Sequence, residues 1–125
     1  MIQDERKAFA TRFLHACAAG KARAEAAAMV APGFVHHNAH FAGDGASLFA
    51  AMDANATQFP DKKIAVHHAL ADGDLVALHS HVKHTAEDPG FALLHLFRFE
   101  GAAIAELWDI AEAVPPDSPN ANGMF

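Results

Sequence analysis

Residues 71–110 read ADGDLVALHSHVKHTAEDPGFALLHLFRFEGAAIAELWDI, and this stretch decides the fold. It holds three segments with the look of strands, Leu75–His84, Phe91–Glu100 and Ile104–Ala111. The breaks between them are turn signals. Asp88-Pro89-Gly90 marks a longer loop and Gly101 a tight return. On the N-terminal side, Asp72-Gly73 is a strong hairpin marker and joins a further strand, Lys63–Ala71. Four consecutive strands make an antiparallel meander. Upstream the period changes to helical. Phe9, Phe13, Ala16 and Cys17 predict a helix over about 4–18, closed by Gly20. An alanine-rich helix is expected over about 21–31, stopped by Pro32-Gly33, then a short strand Phe34–Asn38 and a third helix over about 46–58. Helices followed by a meander read as α+β, with three N-terminal helices packed on one face of an antiparallel sheet.

The chain of 125 residues is expected to form one domain, 1–125, with a Pro-rich C-terminal tail from about 112. Fifteen acidic residues against nine basic ones give a net charge of −6, which argues against nucleic acid and against an anionic membrane surface. No apolar run is long enough to span a bilayer, and Met1–Lys7 is too polar for a signal core. The lone Cys17 cannot form an internal disulfide, which suits a reducing compartment. A cytoplasmic protein is expected.

The chain has ten histidines and no tyrosine, and seven of the ten gather on the strand segments as His36-His37, His67-His68, His79-Ser80-His81 and His95. Imidazole titrates near neutrality, so histidines beside a carboxylate can move protons. Pairing Phe99 with Ala103, and His84 with Ala92, sets His95 opposite Leu107, Asp109 opposite Leu93, and His81 opposite His95. One face then carries His79, His81, Leu93, His95, Phe97, Leu107 and Asp109; the other carries Val82, Leu94, Leu96, Glu106 and Trp108. A carboxylate in an apolar cavity with imidazoles beside it can take a proton next to a carbonyl and return it elsewhere. The structural alternative is that each histidine is a hydrogen-bonded core residue, the better reading for His15, His67, His68 and His84.

Gly73 followed by His79-Ser80-His81 matches the opening of the cupin metal motif. Its carboxylate would have to be Glu87, which lies too far on, and the second half supplies only His95. This argues against a native metal site. A nucleophile constellation is also missing. Cys17 lies on an apolar helix face, Ser47 and Ser118 lie near turns, and Ser80 is expected on the wrong face. Gly43-Asp44-Gly45 is too short for a phosphate loop.

Phe34-Val35-His36-His37-Asn38, Gly73 to His81, Phe97-Arg98-Phe99-Glu100, Glu106-Leu107-Trp108-Asp109-Ile110, Val114-Pro115 and the closing Asn120 to Phe125 follow a known order and spacing. Together they resemble the SnoaL-like polyketide cyclases of the nuclear transport factor 2-like superfamily. The resemblance implies a curved sheet in a cone-shaped α+β barrel with a conical pocket, and an acid–base enzyme without a cofactor. It implies that Asp109 matches the aspartate that drives an intramolecular aldol condensation in that family's cyclases. His37-Asn38 matches a pair that could donate hydrogen bonds to a substrate carbonyl or enolate, and His79 and His81 match polar pocket positions. Two residues depart from the pattern: Leu107, where relatives often carry His, and His95, where they often carry Asp. His95 is then the expected new partner of Asp109.

The leading expectation is cofactor-free acid–base chemistry on a small apolar carbonyl compound. Asp109, His81 and His95 would be catalytic, and His37, Asn38, His79, Phe97 and Leu107 would bind substrate. A non-catalytic ligand-binding or dimerisation domain is the alternative, and a metal-dependent enzyme the third. The apolar outer face with Val82, Leu94, Leu96 and Trp108 predicts a homodimer.

Overall fold

Four strands do follow one another in antiparallel order, as the turn signals require. They are β2 (Lys63–Asp72), β3 (Leu75–Lys83), β4 (Phe91–Glu100) and β5 (Ala103–Ala113). A fifth strand, β1 (Val30–His36), lies parallel to β5, giving the order β1-β5-β4-β3-β2. Two helices, α1 (Gln3–Ala18) and α2 (Gly45–Gln58), cover one face of this sheet. The computed structural model describes residues Met1–Phe125. The α+β class and the helix-on-sheet layers agree with the sequence reading.

The helices form for local reasons. In α1 the residues Ala10, Phe13, Leu14 and Cys17 recur at helical spacing and are all buried, and Asp4 and Glu5 complement the dipole in the first turn. Gly20, at φ +79°, ends it in the left-handed region. In α2 the Asp44 carboxylate caps the helix by accepting the Ser47 N–H at 2.8 Å.

The expected second helix over 21–31 does not form. Only a 3₁₀ turn, Ala26–Met29, remains, and the strand begins at Val30. The cause is Asp53 of α2, whose carboxylate accepts the backbone N–H of Ala22 at 2.8 Å and of Arg23 at 3.2 Å. A carboxylate that ties down this turn directs the chain back to the sheet instead of on through a helix. Ala22 and Ala26 are fully buried, and small residues let the chain pass this close. Pro32-Gly33 does not stop a helix but lies inside β1, where Gly33 at φ +79° falls in the register shift between Val30 and Val35.

The core lies between the helices and the inner face of the sheet. Phe13 packs edge-on against Phe49 and Phe97, at 6.1 and 5.7 Å between ring centres, and Phe9 against Phe99 at 5.8 Å. Val76, Leu78, Ile104 and Leu107 complete it from the strands. No helix is long and apolar enough to cross a membrane.

Candidate acid–base site

Register decides which side chains share a face, and two registers depart from expectation. Between β4 and β5 the turn is Gly101-Ala102, so Glu100 pairs with Ala103, and a shift between Arg98 and Phe99 follows. His95 therefore stands opposite Asp109, not Leu107. The displacement is an even number of residues, so His95, Phe97, Leu107 and Asp109 still share the inner face.

Between β3 and β4 the displacement is odd. Asp88 accepts the N–H groups of His84 at 3.0 Å and Gly90 at 2.9 Å, folding the loop so that Val82 opposes Phe91. His81 then pairs with Ala92 and His79 with Leu94. Both lie on the outer face with Leu96, Glu106 and Trp108, and Val82 moves to the inner one. The expected meeting of His81 with His95 is thus corrected. Ser80, set aside in the sequence as facing the wrong way, points inward and is fully buried. The Asp88-Pro89-Gly90 sequence held the signal, because an Asx turn shortens the hairpin loop.

The inner group is small. Asn38, just past β1, donates from Nδ2 to Asp109 Oδ2 at 2.7 Å. His95 Nε2 lies 3.5 Å from Asp109 Oδ1, an ion-pair distance too long for a strong hydrogen bond. Asn38 is itself fixed, because its Oδ1 accepts the His40 N–H at 3.0 Å. Behind it, His36 Nδ1 accepts the Asn38 N–H at 3.1 Å, so the His36 ring proton lies on Nε2 and donates to the Ala42 carbonyl at 2.6 Å. His36 is a satisfied core histidine that holds the loop.

His95 is 6% exposed. Burial pushes its pKa below the ordinary imidazole value, and the Asp109 carboxylate pulls the other way without overcoming it. A neutral imidazole beside a carboxylate follows. Phe97, stacked on His95 at 6.0 Å, and Leu107 form the apolar floor.

His37 falls outside this group. Strand alternation turns it outward, where it stacks on Trp108 at 5.0 Å and pairs with Glu106 at 2.7 Å. That contact, with help from Arg98, holds the Glu106 carboxyl below its usual range. Cys17 is inert: burial, reinforced by the Asp53 charge, pushes its thiol up to about 12. No three metal-ligating side chains converge. None of the four principal cavities is lined by Asn38, His95 or Asp109. The largest, about 630 Å³, lies among Asp61, Lys63, Lys83, Thr85, Ala86 and Glu87. Aromatic rings fill the inside of the cone, and Phe34 stacks on Phe49 at 6.0 Å.

A sheet curled over two helices is a family architecture, and the family model of the SnoaL-like domain matches residues 10–107. The chain belongs to the SnoaL-like domain family. The match ends just before Asp109. Among curated proteins none matches this chain. Solved structures share the fold. AclR of Streptomyces galilaeus, provisionally described as a hydroxylase, is 22% identical, with 89% of this chain and 91% of that one covered at a TM-score of 0.74. A provisionally assigned SnoaL-like polyketide cyclase from Jannaschia is 14% identical, with coverage of 89% and 88% and a TM-score of 0.71. A provisionally assigned ketosteroid isomerase from Kribbella flavida is 17% identical, with coverage of 94% and 85% and a TM-score of 0.70. At these identities the likeness is one of fold alone.

Proposed function

We propose that this SnoaL-like protein is an acid–base enzyme that works without a cofactor on a small apolar carbonyl compound, by aldol condensation and cyclisation or by isomerisation. One observation carries the reading: the Asp109 carboxylate is bracketed by the Asn38 amide and the buried His95 ring. Asp109 takes the proton beside the carbonyl and returns it later. Asn38 orients the carboxylate and leaves Oδ1 as the basic atom. His95 stays neutral, so it does not neutralise its neighbour by ion pairing. The Asp109 side chain is 16% exposed, so substrate engages at the open edge of the cone. His81, His79 and His37 face outward and take no part.

The test is exchange of α-hydrogens for deuterium in a panel of enolisable ketones, followed by NMR. Asp109→Asn should lower the exchange rate by about 10²–10⁴-fold and keep the melting temperature. Full exchange in that variant would remove the proposal. The filled interior supports a second reading, a ligand-binding or dimerisation domain without catalysis. It predicts ketone binding, no exchange, and indifference to Asp109→Asn.

We also propose a homodimer through the outer face, where Leu70, Leu94 and Ile110 are 64%, 48% and 67% exposed.

A further inference from the structure

Two buried polar atoms on the inner face have no partner within the protein, and they are neighbours. Ser80 Oγ and His95 Nδ1 make no hydrogen bond, although their residues are 0% and 6% exposed. Native interiors pair nearly all such atoms. Leu78 stands opposite His95 and Ser80 opposite Leu93, so Ser80 and His95 are diagonal neighbours across β3 and β4. Their polar atoms do not bond one another, and diagonal neighbours on one face, with Cβ atoms roughly 7 Å apart, stand at a spacing that one oxygen between their polar ends would bridge.

Proton placement says what that oxygen must be. The Asp109 carboxylate can only accept, so the imidazole proton of His95 lies on Nε2, which faces it. Nδ1 then presents a lone pair and needs a donor. Ser80 carries a hydroxyl, which can donate as well as accept. We propose that Ser80 Oγ and His95 Nδ1 form a subsite for one hydroxyl oxygen, which donates its proton to Nδ1 and accepts the proton of Ser80.

A ketone or ether oxygen can only accept, so it would leave Nδ1 unmet. An alcohol, an enol or a water molecule satisfies both atoms. The subsite rests on the acid–base reading and deepens it, because it names a hydroxylated substrate whose O–H lies across β4 from the basic carboxylate. It lines up Ser80, the bound oxygen, His95, Asp109 and Asn38, with His95 and Asp109 in contact at 3.5 Å and Asn38 bonded to Asp109 at 2.7 Å. Leu93, opposite Ser80, separates the pair from the open edge. It pairs with the exposed Ala111 on β5, so a ligand reaches the subsite from that end with Leu93 displaced.

The test uses two probes of similar size on the full chain, 2-naphthol and 2-methylnaphthalene, with ¹⁵N NMR of the histidine side chains. The wild type should bind 2-naphthol about tenfold more tightly, and Ser80→Ala should erase that preference while the protein stays folded by thermal melting. His95 should show the Nε2-protonated tautomer. An Nδ1 resonance that moves on Ser80→Ala in the free protein identifies water as the resident oxygen. One that moves only when 2-naphthol is added identifies the ligand hydroxyl. Equal affinity for the probes, binding of neither, a preference that survives Ser80→Ala, or an Nδ1-protonated ring overturns the subsite. Failure of the acid–base reading looks different: no deuterium exchange in the wild type, with the 2-naphthol preference still lost in Ser80→Ala.

Discussion

His95 is held neutral because burial costs an imidazolium more than one carboxylate 3.5 Å away returns. This has a sign in stability. Its folded pKa lies below the ordinary value of 6.5, so below that pH the unfolded chain binds the proton more readily than the folded one. Stability from this group is complete above the unfolded value and drains away as pH falls through it towards the folded value. Urea midpoints of wild type should drop more steeply from pH 7.5 to 5 than those of His95→Gln, which cannot titrate there. The other nine histidines contribute equally to both slopes, so the difference isolates His95. Equal slopes would mean that folding leaves the proton affinity of the ring unchanged, and a shallower wild-type slope that the fold holds it protonated. Asp109 owes its setting to Asn38 as much as to His95, because the amide is the shorter contact.

At the scale of elements, two short segments set everything the site needs. The first is the loop from His84 to Gly90. Gly90 has φ +79°, and a Cβ there would collide with the Val82 carbonyl oxygen. Gly90→Ala should therefore cost about 1–3 kcal/mol, from the left-handed conformation together with the clash, seen as a fall in melting temperature. A neutral result would place Gly90 in another conformation and undo the odd register that turns Ser80 inward. The second is the turn at Ala22-Arg23. There Asp53 accepts two backbone N–H groups, and Arg23 Nε at 2.9 Å. Burial alone would raise the Asp53 pKa, but the Arg23 side chain and those N–H groups pull it below normal. Asp53→Ala leaves these donors unpaired and should lose about 2 kcal/mol in urea unfolding. Both segments show where the sequence was legible. Strand positions, the Asp72-Gly73 hairpin, α1, α2 and the sharing of one face by His95 and Asp109 follow from period and turn residues. The facing of His81 and the fate of 21–31 do not. The first turns on one Asx turn inside a seven-residue loop. The second turns on a contact between residues 31 positions apart. Neither leaves a periodic trace.

At the scale of the whole molecule, the outer face of the sheet is divided between the chain's own tail and bare apolar surface. The Phe125 ring stacks on His81 at 4.2 Å, His67 at 5.0 Å and His79 at 5.5 Å, so the C-terminus covers the β2–β3 half. Met124 reaches a shallow groove shared with His79, Leu94 and Ile110. Beyond it Leu94 and Ile110, a directly opposed pair on β4 and β5, stay exposed beside half-buried Trp108. Two copies meeting by a two-fold axis on this half would cover the patch and leave both inner faces free. Ile110→Lys puts a charge at its centre and should convert dimer to monomer, raising the dissociation constant at least about tenfold by analytical ultracentrifugation. Exchange activity per chain should persist, because Ile110 faces away from its neighbour Asp109. Removing 120–125 bares the histidines but spares Leu94 and Ile110, so it should weaken the dimer less than Ile110→Lys does. A wild type that stays monomeric at every concentration would refute the dimer. If tail removal dissociates it as fully as Ile110→Lys, the contact runs through the tail, and the interface belongs on the β2–β3 half.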